Sequence, residues 1–96
     1  MPDKNGKHGP IITMGDWVIT QAARDVFTAK EIIQCLQRHA KGDWGDITET
    51  ARDANTNAVK TGGRVISSYT FHDGRILRIH TEAGRKFTIV FLPQEH

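Results

Sequence analysis

One cysteine, Cys35, stands in a chain of 96 residues. A lone thiol excludes an internal disulfide framework and points to a reducing compartment. No apolar run approaches the roughly 18 residues needed to cross a bilayer, so no membrane partner is expected. The first ten residues, MPDKNGKHGP, lack the apolar stretch of a secretory signal. The expected location is therefore cytoplasmic. Net charge is only +2, too little by itself to imply a nucleic-acid partner. No internal repeat and no linker interrupts the sequence, which argues for one domain.

What remains is ordinary globular material, 38% hydrophobic and 25% charged. Residues 1–10 hold two glycines and two prolines and read as a flexible lead-in. Residues 11–96 then form a single α+β domain. A chain this short buries one core and is marginally stable.

Ile11, Ile12 and Met14, then Trp17, Val18 and Ile19, flank Gly15-Asp16 and fit one irregular strand or two short ones. Thr20 suits the cap of a short helix through Ala22 to Val26. Thr28-Ala29-Lys30-Glu31 is a capping box. The helix behind it sets Ile32, Ile33, Leu36 and Ala40 on one face. Gly42 ends it, with Arg38, His39 and Lys41 near the negative end of the dipole. Asp46 and Glu49 repeat the cap pattern for a third helix, about Ile47 to Thr61. Its expected stripe is Ile47, Ala51, Ala54, Ala58 and Val59, and Gly62-Gly63 stops it.

The last third reads as a three-stranded antiparallel meander packed on the helices. Arg64 to Phe71 alternates, Asp73-Gly74 signals a type I′ hairpin, and Arg75 to Thr81 returns. After Glu82-Ala83-Gly84-Arg85, Lys86 to Leu92 forms the third strand and Pro93 ends it. A two-residue turn at Asp73-Gly74 sets Phe71 opposite Ile76, Tyr69 opposite Arg78 and Ser67 opposite His80. Ile66, Leu77, Ile79, Val90 and Leu92 then cover the helices. Tyr69, Arg78, His80, Phe87, Ile89 and Phe91 form a mixed second face, a contact surface if exposed.

Gly42-Asp43-Trp44-Gly45-Asp46, Gly62-Gly63-Arg64-Val65-Ile66-Ser67-Ser68-Tyr69, and Thr81-Glu82-Ala83-Gly84-Arg85 with Thr88 and Leu92-Pro93-Gln94-Glu95 occur in this order. The set resembles a family of small bacterial proteins borne on plasmids and integrative elements, the plasmid-related proteins. Some of these carry a restriction–modification label. The resemblance spans about Asp16 to His96. Arg78 stands where that family usually has tryptophan, Gly84 where it has aspartate, and His96 where it ends in tyrosine. It implies a mobile-element or phage setting and an accessory role, and no particular activity.

Several constellations invite chemistry and have plainer explanations. Asp43, Asp46 and Glu49 suggest a hard cation, but Asp46 and Glu49 already serve as cap residues. His8, His39, His72, His80 and His96 show no metal-ligand spacing. Cys35 and His39 are one helical turn apart, which fits a buried thiol better than a reactive pair. Ser67, His80 and Glu82 resemble a nucleophile, base and orienter, yet no nucleophile turn accompanies them. Glu82 and Arg85 suit a salt bridge across their turn. No catalytic residue, metal or cofactor is expected.

The basic residues between Lys60 and Lys86 outnumber the acidic ones and share their region with aromatics. The expected partner surface is Trp44, Tyr69, Arg75, Arg78, His80, Arg85, Lys86 and Phe87. It suits a protein partner, with a host-defence complex of restriction or CRISPR type as the setting implied by the resemblance. The alternative is a small nucleic-acid-binding accessory that stacks single-stranded bases on the same face. An edge strand or the open sheet face also offers a route to a homodimer.

Overall fold

The computed structural model describes residues 10–95. The expected lead-in lies, except for Pro10, outside the described residues, as do His8 and His96. The elements run β1 (Asp16–Ile19), α1 (Gln21–Val26), α2 (Ala29–Ala40), α3 (Glu49–Thr61), β2 (Val65–Thr70), β3 (Ile76–Thr81), β4 (Phe87–Phe91) and a 3₁₀ turn, Pro93–Glu95. No helix among them is long and apolar enough to cross a membrane.

Helix starts follow the expected chemistry. Thr20 and Thr28 cap α1 and α2 through their hydroxyls, and Thr28 with Glu31 completes the capping box. The third cap is Thr48, not Asp46: its hydroxyl accepts from the Ala51 amide at 3.1 Å, so α3 begins at Glu49. Gly62 ends α3 in the left-handed region that glycine enters without strain.

The sheet is mixed and four-stranded, in the order β1-β4-β3-β2. The expected meander is its antiparallel part, and β1 adds to β4 in parallel. Three exposed residues and a half-buried Ile19 carry no clean alternation, and their partner lies some seventy residues on, so local pattern does not reveal the pairing.

The hairpin register is shifted by one residue from the expected one. Tyr69 pairs with Leu77, Ser68 with Arg78 and Ser67 with Ile79. A type I′ turn needs positive φ at both central residues. Here Gly74 has φ 93° and Asp73 does not share that region. The loop instead holds three residues, His72 to Gly74, closed by the Phe71 amide on the Arg75 carbonyl at 2.8 Å. A one-residue slip exchanges the faces of a strand. Tyr69 and Ser67 therefore point inward with Val65, and Ile66 points outward.

The inward face is buried at every position from β2 to β4: Val65, Ser67, Tyr69, Leu77, Ile79, Thr81, Thr88 and Val90. Ala23 of α1, Phe27 just after it, and Ile32, Cys35 and Leu36 of α2 pack against it with Leu92. Each large aliphatic side chain so buried contributes about 2 kcal/mol. A second cluster joins Ile12, Trp44, Ala58 and Val65 beside α3. On the helices, Ile33 and Ala54 are exposed while His39 and Asn55 are buried, against the expected stripes.

The two edges of the sheet differ. Asn55 seals the β2 edge at Ile66: its amide donates to the Ile66 carbonyl at 2.7 Å and its oxygen accepts the Ile66 amide at 3.0 Å. The Gly42–Asp46 loop seals the rest. Ser68 donates to the Trp44 carbonyl, the Asp46 amide donates to the Ser68 carbonyl, and the Asp46 carboxylate accepts the Thr70 amide. A Cβ on Gly45 would lie 2.2 Å from the Ser68 oxygen, so only glycine fits this approach. No comparable cover lies along β1 among the described residues.

Candidate functional site

The outward sheet face carries Val18, Ile66, Ile76, Arg78, His80, Phe87, Ile89 and Phe91, in alternation with the buried set. α1 and α2 pack on the opposite face, and α3 runs beside β2. Val18 is 48% exposed and Phe87 38%. The His80 ring meets Phe91 edge-on, with centroids 4.7 Å apart and planes at 87°. Phe91 is nearly buried there, next to the half-buried His80. One depression of about 270 Å³ beside it is lined by Thr48, Ile66, Ser68 and Arg78. Another of about 460 Å³ is lined by Arg64, Glu82, Phe87, Ile89 and Glu95. His80 lines both.

Of the residues expected at a partner surface, Arg78, His80 and Phe87 meet on this face, and Lys86 is exposed at the start of β4. The others have structural duties. Trp44 is 6% exposed, packed in the second cluster. Tyr69 is 2% exposed; its hydroxyl donates to the Asp43 carbonyl at 2.7 Å, and Arg38 stacks 4.6 Å from its ring centre. Burial raises the Tyr69 phenol above its ordinary range.

Arg75 is similarly occupied. Its guanidinium forks onto Glu31 at 3.1 and 2.8 Å, donates to Asp73 at 2.8 Å, and lies over Phe27 and Phe71. The Arg75 hydrogen bonds hold the Glu31 carboxyl down at about 2. Arg85 donates to the Ala58 carbonyl at 2.8 Å, closing the C-terminal turn of α3. Glu82 pairs with Arg64 at 3.3 Å rather than with Arg85.

The catalytic and metal constellations come apart. Ser67 faces the helices and His80 faces outward, so the register separates nucleophile from base. Asp43 forks with Arg38, Asp46 holds the Thr70 amide, and Glu49 begins α3. No group of three or more His, Cys, Asp or Glu able to hold a metal occurs among the described residues. Burial raises the Cys35 thiol to about 11, which keeps it protonated.

Sequence reasoning missed the partner that Ser67 does have. His39 is fully buried, with Nδ1 2.6 Å from the Ser67 hydroxyl and Nε2 2.8 Å from that of Thr81. Thr81 continues to Thr88 at 2.7 Å, and Thr88 donates to the Met14 carbonyl at 2.7 Å. A carbonyl only accepts, so the Thr88 proton is spent there. Thr81 must then donate to Thr88 and accept from Nε2–H, which leaves Nδ1 to accept from Ser67. The chain of hydroxyls thus fixes one neutral tautomer. Burial lowers the His39 pKa to about 4.

Compared with family models, curated proteins and solved structures, the chain finds no match. Its class rests on the fold and the face: a small α+β domain with one side of its sheet uncovered by helices.

Proposed function

We propose that this chain is a binding protein with no catalytic role, and that it docks a protein partner on the open face of its sheet. The observation that carries this reading is the one-sided placement of the helices. It leaves Val18, Ile89 and Phe87 as an apolar patch on β1 and β4, bordered on β3 by His80 and Arg78, with Ile66 beyond His80 on β2. An apolar patch with a basic flank suits a partner surface that is apolar at its centre and carries carboxylates at its rim. The resemblance to plasmid-borne proteins makes a restriction or CRISPR complex the first target class to test, by analogy alone.

The geometry favours protein over nucleic acid. Base stacking needs exposed aromatic faces and free cations. Tyr69 and Phe91 are buried, while Arg75 and Arg85 are committed to internal partners. The test compares wild type with Arg78→Glu and Phe87→Asp, both at solvent-exposed or half-exposed positions. Each folded variant should lose the captured protein. Undiminished capture by both overturns the reading, as does binding to single-stranded DNA or RNA that weakens steeply with salt.

A further inference from the structure

The asymmetry of the two sheet edges has a physical meaning. Along β1 the parallel ladder uses alternate residues: the Asp16 amide donates to Lys86, and the Thr20 amide to Val90. The peptide groups of Trp17 and Ile19 consequently point away from β4. A side chain already reaches one of them, since Arg24 Nε lies 3.4 Å from the Ile19 carbonyl. Natural edge strands are guarded by shortness, charged side chains, proline or a bulge. β1 is short and opens on Asp16, but Trp17-Val18-Ile19 carries no charge, proline or bulge, and Trp17 and Val18 are each 48% exposed.

We infer that a second copy of this chain pairs on this edge, β1 against β1, antiparallel about a twofold axis at Val18. In that register Trp17 faces Ile19 of the other copy, and the two residues exchange both peptide hydrogen bonds, twice over by symmetry. Trp17 and Ile19 lie on the helix-bearing side, where a groove of about 260 Å³ runs to Ile32 and Ile33. The other copy's Trp17 fills space beside this groove, and the two Val18 side chains meet on the open face. Charge selects the direction. Asp16 opens the strand and Arg24 follows its far end, so antiparallel pairing brings opposite charges together at both ends. Parallel pairing would set like beside like. The Arg24 contact to Ile19 gives way, freeing the guanidinium for Asp16 of the other copy.

Sedimentation across a wide concentration range tests this on the full chain. Wild type should pass from one chain to two as concentration rises. Val18→Lys, which places a charge at the axis, should remain one chain. Asp16→Arg and Arg24→Glu should each weaken pairing at least tenfold, and the double exchange should restore it. Amide exchange gives a readout independent of any variant: protection of Trp17 and Ile19 should rise with concentration. A wild type that stays monomeric, a dimer insensitive to Val18→Lys, a double exchange that fails to restore pairing, or unchanged exchange at both amides overturns the inference. Val18 is shared with the open face, so the open-face reading is tested apart from pairing by Arg78→Glu and Phe87→Asp, which lie on β3 and β4 away from the β1 edge.

Discussion

The imidazole of His39 and the hydroxyl of Ser67 lie 2.6 Å apart in the closed interior between α2 and β2. The contact binds helix to sheet through a neutral histidine whose tautomer is fixed by Thr81, Thr88 and the Met14 carbonyl. Stability should follow that protonation state.

The pH dependence has a definite sign. His39 holds its proton only below about pH 4 when folded, against 6.5 for an ordinary histidine. The unfolded chain therefore binds more protons between these values. The stability is fully present above pH 6.5 and is lost as pH falls towards 4, by about 3 kcal/mol in all. Urea denaturation at stepped pH should show this slope. His39→Gln should flatten it, at a cost of about 2 kcal/mol at neutral pH from imperfectly paired hydroxyls.

A separate acid step belongs to carboxylates. Glu31, held at about 2 by Arg75, keeps its charge throughout the histidine window. Its contribution is present above the ordinary value of 4.5 and disappears as pH falls towards 2. Glu31→Gln should reduce the slope below pH 4.5 and leave the histidine step unchanged.

Asn55→Ala should expose the β2 edge. It removes two hydrogen bonds to Ile66 and a buried amide, so the loss should be about 2 to 3 kcal/mol by chemical denaturation. The Ile66 amide should then exchange faster than its β3-paired neighbours. Asn55→Asp should be worse, because a carboxylate cannot donate to the Ile66 carbonyl.

Gly45→Ala should cost at least as much. Its backbone has φ 74°, and the added methyl would meet both the Ser68 carbonyl and the Tyr69 ring. Gly74→Ala is the useful contrast. It shares a positive φ of 93° but has open space around it, so only the backbone strain of about 1 to 2 kcal/mol remains. A smaller loss at Gly45 than at Gly74 would contradict the edge-seal explanation.

Much of the fold is legible because local chemistry decides it. The Thr28–Glu31 box, the Gly62 stop and the alternation through β2, β3 and β4 all appear in the sequence and in the structure. The face assignment was not legible, because Asp73-Gly74 suits two turns that differ by one residue. That residue moves Tyr69 inside and Ile66 outside. His39 left a signal that its place near the helix end obscured. It stands three, four and seven residues beyond Leu36, Cys35 and Ile32, on the buried stripe of α2. Asn55 hides in the same way between Ala51 and Ala58. β1 depends on a partner too distant in sequence for any local pattern to indicate.

The central claim is that the uncovered sheet face meets the partner. Methyl resonances test it most directly, followed as the captured partner is titrated in. Those of Val18, Ile66, Ile76 and Ile89 should shift or broaden, while those of Ile32, Leu36 and Val26 on the helix side stay in place. Perturbation confined to the helix side, with the four sheet-face methyls unmoved, would contradict the account.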